Sequence, residues 1–332
     1  MNQKISTLLA VLLAFSLVLT ACGSGSATEP DKVTVQLSWF PTVEFAGFYV
    51  ADQLGYYAEE NIAVNLVAGS PDVDPVSEVA AGNAQFGLAA GDSILRAKAN
   101  GQDTTAVAAI FRQSPMVAMA LADSGIQRPQ DLEGKTVGVI SPTLDTTWDI
   151  QFIAMLHTLG IDENTMTFVP NELYGAGDLT SGKMEASSGL FSTNEPIQAE
   201  LDGYKFNLIY YSEYGVEFYN NLIFANSNFV SENADLVQRF VRATLKGYQH
   251  AIESPQDAVD QTVKYDSELD SAFELASMKV EIPLIDTGNA PIGFMDDAVW
   301  QNTQSILIEQ GYLDTQVDLG TVYTNKFVEG SK

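Results

Sequence analysis

The chain has 332 residues, of which 46% are hydrophobic, and its 43 acidic against 16 basic side chains give a formal net charge of −27. Such an acidic balance argues against nucleic-acid binding and against docking on anionic lipid through a basic face. The chain is also long for a single hydrophobic core, so two domains or two lobes are expected.

Residues 1–22 have the features of a secretory signal peptide. Lys4 supplies a short positive region, and the apolar run Leu8 to Leu19 is too short for a permanent membrane span. The segment ends in Leu19-Thr20-Ala21-Cys22, which contains the only cysteine of the chain and resembles the lipobox of bacterial lipoproteins. By that resemblance, Cys22 is expected to become the lipidated N-terminus after cleavage.

Residues 23–32 follow as a small, polar and flexible tether between the membrane and the folded part of the chain. The sequence contains no second apolar run long enough to span a bilayer, so the lipid is the only expected membrane attachment. The protein is therefore expected to be exported and anchored to the cell membrane, with its folded part on the outer or periplasmic side.

From Val33 onward, strand-like and helix-like segments alternate, which is typical of βαβ units and mostly parallel sheets. A second α/β block begins near Ser114. Two amphipathic segments, 231–252 and 298–310, have the apolar spacing of helices that pack on a core. The predicted strands cover residues 33–37, 62–67, 85–90 and 104–111 in the first block and 116–121, 137–140, 187–191 and 206–211 in the second.

The most informative stretch is Leu37 to Tyr57, which begins where the first predicted strand ends. Trp39 and Phe40 follow that strand directly, and Pro41 and Glu44 come next. Ligands of open α/β sheets bind at the carboxyl ends of strands, so this turn is a candidate wall of a pocket for a flat molecule. The alternative is that the two aromatic side chains only cap the core.

Two further segments are candidates for the same site. The loop Ser141 to Thr147 opens a helix that carries Trp148, and its free backbone N–H groups suit a carbonyl or anionic ligand atom, although an ordinary N-cap is an equally open reading. Asp92 and Ser93 are candidate N-caps of the helix that follows the third strand. A second concentration of aromatic residues lies at 210–224.

Several motifs occur together in the mature chain. They are Leu37-Ser-Trp-Phe-Pro41, Phe45-Ala-Gly-Phe-Tyr-Val-Ala51, Gly55-Tyr-Tyr57, Gly82-Asn-Ala-Gln-Phe-Gly87, Asp131-Leu-Glu-Gly-Lys135 and Tyr214-Gly-Val-Glu-Phe-Tyr219. With these motifs the chain resembles, over nearly all of its mature length, the type II periplasmic solute-binding proteins of ABC importers. The resemblance is to the branch that contains binders of thiamine-pyrimidine precursors and of riboflavin.

The resemblance implies a two-lobed α/β fold in which each lobe is a mostly parallel sheet flanked by helices and the ligand binds in the cleft. Lobe 1 would comprise residues 33–112 and 220–332, and lobe 2 residues 113–219. Closure around the ligand would be a hinge motion near residues 112–115 and 219–222. The implied partners are a small-molecule ligand and the membrane permease of the importer.

The resemblance also implies a class of ligand. Pyrimidine binders often carry a histidine in the loop where this chain has Glu44 and Phe45, so riboflavin is the favoured ligand and a hydroxymethyl or formylamino pyrimidine is the alternative. An isoalloxazine ring needs an aromatic slot and polar groups for its edge. The candidate ligand-binding residues are Trp39, Phe40, Phe45, Trp148 and Tyr214 for the slot and Glu44, Asp92, Ser93, Asn194 and Glu195 for the polar contacts.

An enzyme is the rival class, because fungal proteins that resemble this fold make the thiamine pyrimidine with iron, His and Cys residues. This chain has only His157 and His250, and Cys22 is assigned to the lipid. No sequence motif for a metal, a nucleophile or a phosphate occurs, so no enzymatic activity, cofactor or metal is expected. A sensor that presents its bound form to a receptor kinase is a third reading.

Overall fold

The computed structural model describes residues 29–172 and 176–331. The predicted signal peptide, the predicted lipidation site Cys22 and residues 23–28 of the predicted tether lie outside the described residues. Among the helices that are described, none combines the length and the apolar character that a membrane span requires.

Two five-stranded sheets organise the described residues. The first has the strand order β2-β1-β3-β10-β4, and the second has the order β7-β6-β8-β5-β9. We call each sheet with the helices packed on it a lobe. The strands are β1 (Asp31–Gln36), β2 (Ile62–Val67), β3 (Phe86–Ala89), β4 (Thr104–Phe111), β5 (Met116–Leu121), β6 (Thr136–Val139), β7 (Thr167–Pro170), β8 (Ala186–Phe191), β9 (Phe206–Tyr210) and β10 (Asn220–Asn226).

Helices flank both sheets and connect most of the strands. They are α1 (Ala46–Gln53), α2 (Tyr56–Glu59), α3 (Pro75–Ala80), α4 (Gly91–Ala99), α5 (Thr147–Thr158), α6 (Ala176–Thr180), α7 (Glu195–Leu201), α8 (Ser227–Glu232), α9 (Ala234–Glu253), α10 (Pro255–Thr262), α11 (Ser271–Ile285), α12 (Asp297–Glu309) and α13 (Lys326–Glu329). The predicted strands agree with the observed ones to within two residues. No strand was predicted at β7 or β10, and no helix was predicted at α10 or α11, which follow one another on the first lobe.

Each sheet contains one strand that runs against the other four. In the first sheet β10 pairs antiparallel with both β3 and β4, and in the second sheet β5 pairs antiparallel with both β8 and β9. Both reversed strands come directly after the chain has passed from one lobe to the other. The sheets are therefore mixed in their pairing but mostly parallel in strand direction, as the sequence pattern predicts.

The chain passes between the lobes twice. The first passage runs from the end of β4 at Phe111 to Met116, and the second runs from Tyr210 to Asn220. The first is fixed by Arg112, a buried side chain whose guanidinium donates to the carbonyl of Phe294 at 2.9 Å and pairs with Asp296 at 3.2 Å. A buried guanidinium with several acceptors restrains the backbone on which it sits.

The second passage is fixed by Tyr219. Its hydroxyl accepts a hydrogen bond from the backbone N–H of Asp296 at 2.5 Å, and its carbonyl accepts one from the N–H of Gly91 at 2.9 Å. Its ring lies edge-on to Trp300 with the ring centroids 5.8 Å apart. Asp296 is thus a shared anchor, because Arg112 and Tyr219 bind it from the two passages.

The core of the first lobe depends on the close packing of α1 on α9. Gly47 lies against the ring of Tyr248, and a Cβ built on Gly247 would lie 2.0 Å from the carbonyl oxygen of Gly47. Only glycine at both positions permits this approach of the two backbones. The hydroxyl of Tyr248 then donates to the carbonyl of Glu44 at 3.0 Å, so the helix pair also positions the turn before α1.

Replacing Gly247 by alanine is expected to lower the free energy of unfolding by at least the upper end of the ~1–3 kcal/mol typical of an overpacked core, because the added methyl meets a backbone atom that cannot rotate away. Urea unfolding measures the change. Gly91→Ala is the matched control, since a Cβ there has its nearest neighbours at 3.6 Å and should change stability by less than about 1 kcal/mol. Equal effects of the two substitutions would contradict the proposed helix contact.

Candidate functional site

A cavity of about 250 Å³ lies between the lobes, where the carboxyl ends of the parallel strands of both sheets meet. Its walls come from the loops after β1, β2, β3, β6 and β8, from the start of β10 and from one face of α11. Its aromatic lining consists of Trp39, Trp148, Phe191 and Phe273, and its acidic lining of Glu44, Asp74, Glu195 and Glu281. Among the described residues that line it there is no lysine, arginine or histidine.

Trp39 lies in the turn that follows β1, as the sequence predicts, and it lines the cavity. The carbonyl of Trp39 accepts a hydrogen bond from the N–H of Gly69 at 2.8 Å. A Cβ on Gly69 would come within 2.5 Å of the Leu37 carbonyl, so glycine is required for the two segments to lie this close. Phe40 packs edge-on against Trp39 but is 49% exposed and does not line the cavity.

Trp148 faces the cavity from the second lobe, at the start of α5. Thr146 is the N-cap of this helix, since its hydroxyl oxygen accepts from the N–H of Asp149 at 3.2 Å. The carboxylate of Asp149 in turn accepts from the N–H groups of Ile140 and Ser141 at 3.0 and 2.9 Å. The loop before Trp148 is therefore held by an ordinary helix cap, which is one of the two readings that the sequence left open.

Glu44 also lines the cavity, and Asn221 holds its carboxyl group. The Asn221 amide donates to Oε1 of Glu44 at 2.6 Å, and the hydroxyl of Ser38 donates to the Asn221 side-chain oxygen at 3.3 Å. Asn221 has a φ of 50°, in the left-handed region that asparagine tolerates better than most residues. Burial raises the pKa of Glu44 to about 7, partly offset by the amide of Asn221 and increased by the neighbouring Glu195.

Glu195 and Asn194 line the cavity from the start of α7, as predicted. The carboxylate of Glu195 accepts from the N–H of Phe191 at 2.9 Å, which closes the loop between β8 and α7. Burial raises the pKa of Glu195 to about 6. This glutamate, like Glu44, has no cationic partner in the described structure, and backbone and amide donors satisfy the two groups instead.

Asp92 is placed differently from the expectation. It is fully buried inside α4, whose N-cap is Ala90, so the prediction of Asp92 or Ser93 as the N-cap is wrong. Its carboxylate accepts from the Thr147 hydroxyl at 2.9 Å and pairs with Arg96 at 3.2 Å. Asp92 therefore links the two lobes beside the cavity without lining it, whereas Ser93 does line it.

Two more of the predicted ligand-binding residues lie outside the cavity lining. Phe45 is completely buried in the core of the first lobe, and Tyr214 packs on the core from a turn within the second passage between the lobes. Both histidines also lie elsewhere. His157 is paired with Glu163, and His250 is paired with Asp257.

The sequence analysis missed the contribution of α11. Phe273, Ser277 and Glu281 recur every four residues and line the cavity along one face of this helix. The segment carries acidic residues, Glu274 and Glu281, among mostly apolar ones, but this pattern does not indicate which element the helix meets. Asn220 and Asn221 at the start of β10 were missed as well.

The lobes contact each other on both sides of the cavity. On one side the hydroxyl of Thr147 meets Asp92 and Arg96, and on the other the hydroxyl of Ser277 donates to the carbonyl of Thr193 at 2.5 Å. The two lobes are therefore in contact with each other on both sides of the cavity. No group of residues that could hold a metal ion occurs in the part of the chain that is described.

Comparison with solved structures identifies the fold class. A putative sulfonate ABC transporter periplasmic sulfonate-binding protein, SsuA, from Methylobacillus flagellatus superposes with a TM-score of 0.68 at 16% identity, covering 91% of this chain and 94% of that one. The chain has the two-lobed periplasmic-binding-protein fold, which confirms the expected architecture. A family model described as NMT1/THI5 like matches residues 42–258, and the chain belongs to this family.

Curated relatives match over almost the full length. The riboflavin-binding protein RibY of Chloroflexus aurantiacus is 25% identical and covers 95% of each chain. The formylaminopyrimidine-binding protein of Halalkalibacterium halodurans is 27% identical over 94% of this chain and 95% of its own. A 4-amino-5-hydroxymethyl-2-methylpyrimidine phosphate synthase of Legionella pneumophila is 24% identical over 90% of this chain and 92% of its own. The family therefore contains binding proteins and enzymes.

Glu274 should make stability depend on pH. Its carboxylate accepts from the N–H of Val43 at 2.8 Å, and burial raises its pKa from 4.5 to about 7. A raised pKa means that the folded state holds a proton that the unfolded state has released, so this contribution to stability is complete below pH 4.5 and is lost as the pH rises to 7. Between pH 4.5 and pH 7 the ionisation of Glu274 should lower the wild-type free energy of unfolding by on the order of 3 kcal/mol. Glu274→Gln should lack this decrease.

Urea unfolding of both proteins at pH 5 and pH 8 provides the measurement. The wild-type free energy of unfolding should fall more steeply with pH than that of the variant. Glu309→Gln, at an exposed position of α12, is the matched control and should follow the wild type. Parallel curves for wild type and Glu274→Gln would show that Glu274 is already ionised at pH 5.

Proposed function

We propose that this protein is the solute-binding component of an ABC importer and captures a planar aromatic heterocycle in the cleft between its lobes. The observation that carries the proposal is the pair of tryptophans on the cavity wall, Trp39 from the first lobe and Trp148 from the second. Aromatic side chains bind flat rings through their faces with little loss of conformational entropy. The permease of the importer is the proposed partner.

Riboflavin is the ligand that we propose first. The relative named as a riboflavin-binding protein matches nearly the whole chain, and the cavity offers both aromatic faces and a set of amide and hydroxyl groups suited to a polyhydroxylated side chain. A formylaminopyrimidine is the second candidate, supported by the other full-length relative. The specific observation in its favour is the acidic lining, because carboxylates accept hydrogen bonds from amino groups.

We propose a binding role rather than an enzymatic one. The resemblance to the fungal enzymes that make the thiamine pyrimidine implies a reaction in which histidine and cysteine side chains take part. Here His157 and His250 each pair with a carboxylate outside the cavity, and Cys22 is proposed as the lipid-bearing residue. The contacts of Thr147 with Asp92 and of Ser277 with Thr193 join the lobes across the cleft, which supports a role in which closure encloses a ligand.

Trp39→Ala tests the stacking role. Stacking of a base on an aromatic side chain is worth ~1–3 kcal/mol, so the substitution should weaken riboflavin binding roughly 5- to 150-fold. Titration of the apo domain, followed by quenching of riboflavin fluorescence, gives the dissociation constant. The melting temperature of the same apo variant separates this role from packing, because loss of a core tryptophan would cost ~3–5 kcal/mol.

Phe40→Ala is the matched control, since Phe40 is the neighbouring aromatic residue of the same turn but lies outside the cavity lining. It should leave the dissociation constant within about twofold of the wild type. Equal losses of affinity in the two variants would contradict the assignment of Trp39 as the stacking residue. If riboflavin does not bind the wild type and a formylaminopyrimidine does, the ligand is of the second kind and the transport role stands.

We further propose that a lipid on Cys22 anchors the protein to the cell membrane. The support is the sequence Leu19-Thr20-Ala21-Cys22 after an apolar run. Cys22→Ser should therefore yield protein that is released from the membrane or remains an uncleaved precursor, while ligand binding by the purified domain is unchanged. Membrane fractionation and mass spectrometry of the N-terminus provide the readout, and mature wild-type protein without lipid would disprove the anchor.

A further inference from the structure

One carboxyl group of the cavity wall has an oxygen without a partner. Glu281, on α11, is 1% exposed and lines the cavity. Its Oε1 accepts a hydrogen bond from the hydroxyl of Ser277 at 3.2 Å, whereas its Oε2 has no hydrogen-bond partner among the described residues. A buried polar atom left unsatisfied is rare in folded proteins and costs free energy, so such an atom on a cavity wall indicates that a ligand group completes it.

The groups that face Glu281 from the packed elements are acidic or phenolic. Glu44 in the turn before α1, Glu274 on the same helix and Tyr248 on α9 all interact with it electrostatically. Glu195 adds a further carboxyl near Glu44 from the second lobe. Burial and the charge of Glu44 raise the pKa of Glu281 well above its ordinary value, since no cation opposes them.

We propose that Glu281, Glu44 and Glu195 form a subsite for the positively charged, N–H-bearing edge of the heterocyclic ligand. The inference rests on the proposed function, because it places this edge while the ring stacks on Trp39. An ammonium or amino group would donate to the free oxygen of Glu281 and gain attraction from the two other carboxylates. The subsite thus favours an amino-substituted, cationic heterocycle of the pyrimidine kind, the second candidate ligand, over riboflavin, which is neutral and carries no amino group.

The subsite has a predictable dependence on pH. In the free protein, burial raises the pKa of Glu44 to about 7, that of Glu195 to about 6 and that of Glu281 well above its ordinary value, so all three hold protons in mildly acidic solution. A cationic ligand interacts with the ionised carboxylates, so its binding releases these protons and must strengthen as the pH rises. A neutral ligand of the same shape lacks this gain.

Two pyrimidines that differ only in one side group provide the test. The probes are 4-amino-5-aminomethyl-2-methylpyrimidine, which carries an ammonium group, and 4-amino-5-hydroxymethyl-2-methylpyrimidine, which does not. Hydrogen bonds to charged groups are worth ~1.5–3 kcal/mol, so calorimetry at pH 7.5 should show that the ammonium probe binds roughly 10- to 150-fold more tightly. This preference should shrink at pH 5.5.

Glu281→Gln should remove most of this preference, because it replaces the carboxylate that the ammonium group meets with a neutral amide. Glu274→Gln is the matched control, because Glu274 is equally buried on the same helix but does not line the cavity, and it should retain the preference. The melting temperatures of both apo variants verify that they fold. Equal binding of the two probes, a preference that survives Glu281→Gln, or its loss in both variants would overturn the subsite.

A riboflavin binding measurement distinguishes a failure of the cationic subsite from a failure of the proposed function. If riboflavin binds through Trp39 and neither pyrimidine binds, the cationic subsite is wrong and the role in heterocycle uptake stands. If riboflavin and both pyrimidines fail to bind the wild-type domain, the proposed function and the subsite are both overturned.

Discussion

The reversal of one strand in each sheet is the constraint on which the site depends. β4 ends at the cleft, and the chain passes at once to the other lobe, so β5 must start at the cleft and run against its neighbours. The same holds for β10 after β9. As a result, the carboxyl ends of the parallel strands in both sheets face one space, and the loops that follow them can supply walls from two bodies. Arg112 and Tyr219 fix both passages on Asp296, so the geometry of the cleft is set where the lobes join.

The buried carboxyl groups of the cavity wall, and of Glu274 outside it, cost the fold free energy. Glu44, Glu195 and Glu274 are held by neutral donors, namely the amide of Asn221 and the N–H groups of Phe191 and Val43. Neutral donors do not repay the desolvation of a carboxylate as a cation would, which is why the pKa values of all three rise. Asn221 also occupies a left-handed conformation while it holds Glu44. Strain and raised pKa values that converge on one cavity are typical of functional sites.

The alternation of strands and helices was enough to predict eight of the ten described strands, all except β7 and β10, because buried strands and amphipathic helices have distinct periods. Trp39 could be predicted as a site residue because it follows a strand and precedes a proline. Asp92 and Phe45 show the limit of such local reasoning. Phe45 follows β1 and Asp92 follows β3, so both lie after strands whose carboxyl ends face the cleft. Nevertheless, Asp92 pairs with Arg96 and Phe45 lies in the core. The direction of each side chain is decided by tertiary packing. The face of α11 could not be assigned to the cleft either, because nothing local in residues 271–285 indicates which lobe element it meets.

The fold alone does not determine the charge of the ligand. A structural neighbour of the same architecture is named as a sulfonate-binding protein, and a sulfonate is an anion. In this chain an anion in the cavity would face Glu44, Asp74, Glu195 and Glu281, with no basic side chain among the described lining residues. Arg96, which reaches the boundary between the lobes, is already paired with Asp92. Proteins of this fold can therefore share the cleft while the loops at the strand ends set the charge of its lining, since these loops vary without disturbing the sheets.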